Sequence, residues 1–147
     1  ELKDKISDKI FNDYYKFGFV RNPWDWQVSL YKYMLKLESH PQHTLIKSMK
    51  NFDEYIDWRV HEDLHLQKDF FYENNVCLMD FIGRFENLKQ DFGKVCKKID
   101  IKVDLPHLNK SRKDNDFLKY YSKTSLDMVY QAFEEDIKLF AYSKPEL

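Results

Sequence analysis

Tyr15-Lys16-Phe17-Gly18-Phe19-Val20-Arg21-Asn22-Pro23-Trp24-Asp25-Trp26-Gln27-Val28-Ser29 is the stretch that decides the fold. Its first part, Tyr15 to Val20, is aromatic and β-branched and reads as a short buried strand. Arg21-Asn22-Pro23 ends that strand. Asn22 is a good N-cap and Pro23 a good first helical residue. From Trp24 to Leu37 the apolar spacing turns helical, with Trp24, Val28, Tyr31 and Leu35 on one face and Leu30, Met34 and Leu37 beside them, a stripe wide enough for a helix buried between layers. An anion beyond such a strand end would meet a helix N-terminus with its N–H groups and positive dipole end. Arg21 stands at the strand tip, where a guanidinium can grip phosphate with two bonds. Ser29, two turns into the helix, can add a hydroxyl.

Outward from this junction the chain alternates. Residues 1–14 suit a short helix through Ile6, Ile10 and Phe11. His40-Pro41-Gln42-His43 reads as a loop. Asn51 caps a short helix, with Glu54 at the capping-box position and Phe52, Tyr55 and Ile56 inward. Val76-Cys77-Leu78-Met79 reads as a second short buried strand, followed by Phe81-Ile82-Gly83-Arg84-Phe85. Asn87 and Gln90 open a helix carrying Leu88, Phe92, Val95 and Ile99. Residues 100–116 are polar and loop-like around Leu105-Pro106. Thr124 opens a last amphipathic helix with Leu126, Val129, Tyr130, Phe133, Ile137 and Phe140 on one face. Strands separated by helices indicate an α/β layered domain. Two strands do not make a self-sufficient parallel sheet, so the 147 residues read as a single, incomplete domain.

Composition narrows the function. The net charge is -1, which argues against a general nucleic-acid or anionic-membrane binder and makes any anion site local. No apolar run reaches the roughly 18 to 20 residues of a membrane span. Cys77 and Cys96 lie in apolar stretches and read as buried thiols. With 3 glycines, Gly18, Gly83 and Gly93, neither G-x-x-x-x-G-K-[ST] nor G-x-G-x-x-G can be written, so a nucleotide phosphate is held either by side chains and a helix N-terminus or by a loop outside this chain.

Phe19-Val20-Arg21-Asn22-Pro23-Trp24-Asp25 followed by Val28-Ser29-x-Tyr31 resembles the 3′-phosphate-binding motif of sulfotransferases that use 3′-phosphoadenosine-5′-phosphosulfate (PAPS), closest to the branch that includes carbohydrate sulfotransferases. Trp26 stands where many members carry a second Arg. Asp80-Phe81-Ile82-Gly83-Arg84-Phe85-Glu86-Asn87-Leu88 is similar to the second-strand-to-helix segment of that family. Leu105-Pro106-His107-Leu108-Asn109-Lys110-Ser111 resembles the loop after it, and Tyr120-Tyr121 with Asp136 to Tyr142 the terminal helix.

The resemblance runs from about residue 10 to about residue 142. It implies a P-loop-kinase-like three-layer α/β fold, helix-rich with a short parallel sheet. It implies Arg21 and Ser29 as the 3′-phosphate grip, with Arg84, Asn109, Lys110 and Ser111 near the nucleotide. The co-substrate implied is PAPS, leaving as adenosine 3′,5′-bisphosphate, with no metal. The acceptor is a hydroxyl, on a carbohydrate by the branch. Relatives begin with a loop that cradles the 5′-phosphosulfate, and many carry a His base just upstream of where this chain starts. The expectation is therefore a chain holding the 3′-phosphate half alone, its catalytic residues unknown, inactive by itself and prone to self-association through its open strand. A bacterial member would be cytoplasmic, an animal one in the Golgi lumen.

Two other readings follow from the residues. The chain could be a non-catalytic nucleotide- or partner-binding remnant. His61-Glu62-Asp63-Leu64-His65 matches H-E-x-x-H, which on a helix would set two zinc ligands on one face with Glu62 as base. Its charged flanks, Arg59, Asp63 and Asp69, speak against a buried metal helix. Gln67, ahead of Phe70-Phe71, resembles a family segment near the acceptor cleft and reads equally as a polar surface residue.

Overall fold

Asn22 opens the long helix with its side chain: Oδ1 accepts the N–H groups of Trp24 at 3.0 Å and of Asp25 at 3.3 Å. Pro23 takes the first helical position, where a missing N–H removes no bond. The structure, a computed structural model, describes residues 8–103 and 117–147. In chain order its helices and strands are α1 (Asp8–Asp13), β1 (Phe17–Val20), α2 (Pro23–Lys36), α3 (His43–Ser48), α4 (Phe52–His61), β2 (Tyr72–Glu73), β3 (Val76–Cys77), β4 (Phe81–Arg84), α5 (Leu88–Lys98), α6 (Lys123–Ala132) and α7 (Glu134–Leu139). The fold is α/β, helix-rich, with a short parallel sheet. No helix among the described residues is long and apolar enough to cross a membrane. The described residues fall into two compact units, 8–20 with 71–103, and 21–70 with 117–147.

In the first unit β1 pairs in parallel with β4, in the register Phe17↔Phe81, Gly18↔Ile82, Phe19↔Gly83, Val20↔Arg84. The second parallel strand is thus Phe81–Arg84, not the expected Val76–Met79. Asn74 and Asn75 take positive φ of 50° and 64°, the pattern of a two-residue type I′ turn. That turn folds Val76–Cys77 back on Tyr72–Glu73 as an antiparallel hairpin. Val76 and Cys77 are exposed there, so only Cys96 of the two thiols is buried.

β1 is also more open than expected: Val20 is its one buried residue. Asp80 sets the register of the parallel pair. Its carboxylate accepts the Lys16 backbone N–H at 2.7 Å and lies 3.2 Å from the Lys16 ammonium, and both hold the Asp80 carboxyl below the usual carboxylate range. Gly83 allows close packing across the sheet, since a Cβ there would lie 2.6 Å from Phe19 Cε1 and 3.0 Å from Asp91 Cβ. Asn87 stands at the N-cap of α5 but its side chain makes no cap bond. Asp91 turns back instead and accepts the Arg84 N–H at 2.8 Å.

The second unit holds the main core. Trp24 and Val28 of α2, Tyr55 and Ile56 of α4, and Val129 with Phe133 are all at 0% exposure. Trp24 buries its ring without orphaning its polar groups, as buried indoles must. Its Nε1–H donates to the Leu126 carbonyl at 3.1 Å, and its own carbonyl accepts the Tyr121 hydroxyl at 2.9 Å. Asn51 caps α4 through a bond from the Glu54 N–H at 3.0 Å. The return bond of the capping box is shifted by a residue, because Glu54 Oε2 accepts the N–H of Lys50 at 2.7 Å.

The final helix differs from expectation in two ways. Its cap is Ser122, in a reciprocal box with Ser125, rather than Thr124. It also breaks into α6 and α7 at Phe133, whose backbone leaves helical geometry at φ -104° and ψ 20° while its ring fills the core. The short helix α3 begins at His43, the last residue of the expected loop, whose side chain is buried with Nδ1 2.9 Å from the Met34 carbonyl.

Candidate functional site

Arg21 lies directly before the Asn22 cap, and Asp25 and Ser29 follow it on α2 at intervals of four residues. The three side chains meet. Arg21 Nε donates to Asp25 Oδ2 at 2.6 Å, and Arg21 Nη1 donates to Ser29 Oγ at 2.9 Å. The side chains of Arg21 and Asp25 are 20% and 18% exposed, so the cluster is held in place yet open to solvent. The sequence singled out Arg21 and Ser29, and the structure brings them into contact.

The backbone of Arg21 is fixed as firmly as its side chain. Gln67 Oε1 accepts the Arg21 N–H at 2.8 Å, and Gln67 Nε2 donates to the Arg21 carbonyl at 2.8 Å. Gln67 is buried, at 5% exposure, in a short 3-10 turn spanning Gln67–Phe70. That turn is itself anchored: Asp136 on α7, fully buried, accepts the N–H of Gln67 at 2.7 Å and of Lys68 at 2.9 Å. Burial pushes the Asp136 carboxyl above the usual range, against the pull of those two N–H groups. The alternative reading of Gln67 as a plain surface residue therefore does not hold.

The helix N-terminus acts differently from the expectation. Asn22 already takes the N–H groups of Trp24 and Asp25, and the Trp26 N–H bonds the Asn22 carbonyl at 2.8 Å. An anion at this end meets the Arg21 and Ser29 side chains and the dipole, with the backbone donors already engaged. Trp26 is a packing residue: its ring meets Phe133 edge-on at 6.2 Å. The Arg59 guanidinium lies over that ring at 5.8 Å and is itself buried, bonded to Asp63 at 2.6 Å and to Gln27 Oε1 at 3.2 Å.

Arg84 ends β4 in the other unit, as the register partner of Val20. Asn109, Lys110 and Ser111 lie outside the described residues. His61 is the last residue of α4 and His65 falls beyond it in irregular chain, so the two histidines do not share a helical face. Each is 64% exposed, His61 bonded to Asp57 and His65 to Asp63. The premise of the zinc-peptidase reading is thereby removed. Among the described residues no group of His, Cys, Asp and Glu side chains is gathered as a metal site.

Sequence reasoning missed Asp136. A signal was present: Phe133, Asp136, Ile137 and Phe140 share one helical stripe, and an acid on an apolar stripe points to a buried partner.

The family model described as "Sulfotransferase family" matches residues 1–143. An uncharacterized protein of Archaeoglobus fulgidus is 29% identical over 123 residues, an alignment that takes in 78% of this chain and 92% of that protein. No solved structure matches the chain.

Proposed function

This chain belongs to the sulfotransferase family, and from that premise we propose that it binds PAPS through Arg21 and Ser29 and serves transfer of its sulfuryl group to an acceptor hydroxyl, on a carbohydrate. The observation that carries the reading is the 2.9 Å bond between Arg21 Nη1 and Ser29 Oγ. Arg21 stands just before the positive end of a fourteen-residue helix, Ser29 lies two turns into it, and both side chains are partly exposed. A guanidinium beside a hydroxyl suits the several acceptor oxygens of a phosphate better than it suits a neutral ribose.

In the transfer, the acceptor oxygen attacks sulfur in line, the bond between sulfur and the 5′-phosphate oxygen breaks, and the hydroxyl proton passes to a base. The nucleotide leaves as adenosine 3′,5′-bisphosphate. The 3′-phosphate takes no part in bond making. Its grip contributes position, holding the sulfuryl group where the acceptor can reach it.

Titration calorimetry with adenosine 3′,5′-bisphosphate and with AMP tests this. The two ligands differ only in the 3′-phosphate, so the bisphosphate binds more tightly. Equal affinities would remove the 3′-phosphate from this site.

A further inference from the structure

Gln67 reaches Arg21 in a manner that packing alone does not require. Its amide makes a two-point pairing with the Arg21 backbone, both bonds at 2.8 Å, as a neighbouring strand would. The glutamine is buried, and its own N–H is held by the fully buried Asp136. Arg21 lies between the last strand residue, Val20, and the helix cap, Asn22. A buried amide with both ends paired on one residue is a strong constraint, because breaking either bond leaves a buried polar group unpaired.

We propose that Gln67 is a positioning residue for the phosphate grip: through its two bonds to the Arg21 backbone, and its anchor on Asp136, it sets where the Arg21 guanidinium stands. This rests on the reading of Arg21 as the 3′-phosphate ligand. Gln67 adds no charge. Its effect passes through the direction in which the Arg21 side chain leaves the backbone, toward Asp25 and Ser29. Asp136 acts one step further back, holding the turn that carries the glutamine by two backbone N–H groups, at 2.7 and 2.9 Å.

The test uses the full chain with Gln67→Ala and Gln67→Glu. In the nucleotide-free protein, hydrogen exchange at the Arg21 backbone N–H and the Nε–H, read by nitrogen-15 NMR, accelerates in Gln67→Ala. In calorimetry the same variant loses affinity for adenosine 3′,5′-bisphosphate by about 5- to 20-fold while AMP changes little. Gln67→Glu provides the second arm should the alanine variant fail to fold. Its ionised carboxylate cannot donate to the Arg21 carbonyl, whereas its protonated form can, so its bisphosphate-over-AMP ratio recovers toward that of the parent chain, measured in parallel, as pH falls. A general loss of structure would lower both affinities together and show no such recovery.

Unchanged Arg21 exchange in Gln67→Ala overturns the proposal. So does a bisphosphate-over-AMP ratio in Gln67→Ala equal to that of the parent chain. If the parent chain itself shows no preference for the bisphosphate while Arg21 exchange still answers to Gln67, the phosphate reading fails and the positioning of Arg21 by Gln67 stands.

Discussion

The Asp25 carboxylate holds Arg21 by its Nε at 2.6 Å, on the same helix that carries Ser29 one turn further on. The acid orients the guanidinium and also offsets its charge. Asn at this position keeps an acceptor for Nε–H and removes the negative charge. Asp25→Asn is therefore expected to tighten adenosine 3′,5′-bisphosphate binding by about 3- to 10-fold at low ionic strength, with the gain fading as salt rises. Calorimetry across a salt series checks this; a loss of affinity at every salt concentration would make orientation, not charge, the main role of Asp25.

Arg21 and Ser29 should differ in weight. Charge-assisted bonds contribute roughly 1.5 to 3 kcal/mol, so Arg21→Ala is expected to weaken bisphosphate binding by about 10- to 150-fold. Ser29→Ala, losing a neutral hydroxyl bond of about 0.5 to 1.5 kcal/mol, is expected to cost about 2- to 10-fold. The preference over AMP should nearly vanish in Arg21→Ala. An unchanged ratio in that variant would place the 3′-phosphate elsewhere.

Two buried acids should give opposite pH signatures. The Arg84 N–H and the Lys94 ammonium hold the Asp91 carboxyl below the usual range. Its folded form favours the charged state, so its stabilisation is present above the ordinary carboxylate pKa of about 3.9 and is lost as pH falls through the lowered value. The deficit of Asp91→Asn in melting temperature should thus be full near neutrality and narrow on acidification. Asp136 is raised by burial, so its contribution is largest below the ordinary value and declines as pH rises through the raised one. Melting curves of Asp136→Asn against the parent chain should show their widest gap at low pH. Parallel profiles for the two variants would contradict both assignments.

Glycine substitutions should separate by site. Gly93 lies within α5, and a Cβ there meets nothing within 4 Å. Gly93→Ala is expected to stabilise the chain by up to about 1 kcal/mol through helix propensity and a less free unfolded state. Gly83→Ala pushes a methyl against the Phe19 ring and Asp91, and is expected to destabilise by about 1 to 3 kcal/mol. Urea unfolding distinguishes the two; equal effects would show that the β1–β4 sheet gives way at no cost.

Local chemistry carried the reading where neighbours in sequence are neighbours in space. Asn22-Pro23 announced the start of α2, Asn51 the start of α4, and the spacing of Arg21 and Ser29 put both on one helical ridge. These rest on caps and on the 3.6-residue repeat, which act within a few residues. The same local reasoning misjudged Val76–Met79. Its apolar run looks like a buried strand, but the two asparagines before it turn it into an exposed hairpin and leave the parallel pairing to Phe81–Arg84. It likewise carried the last helix through Phe133, where core packing and the local backbone angles divide it.

From the sequence by itself came the α/β class, the pairing of Arg21 with Ser29 at a strand-to-helix junction and the family resemblance, because each is written in short patterns of capping, periodicity and residue type. Only the tertiary structure decided that Gln67 pairs with the Arg21 backbone, that Asp136 anchors Gln67 across 69 positions of sequence, and that His61 and His65 never share a helix. Such pairings depend on which buried polar groups find one another once the chain has closed. A buried amide or carboxylate must be satisfied by some partner, but the identity of that partner is set by packing between segments far apart in the sequence.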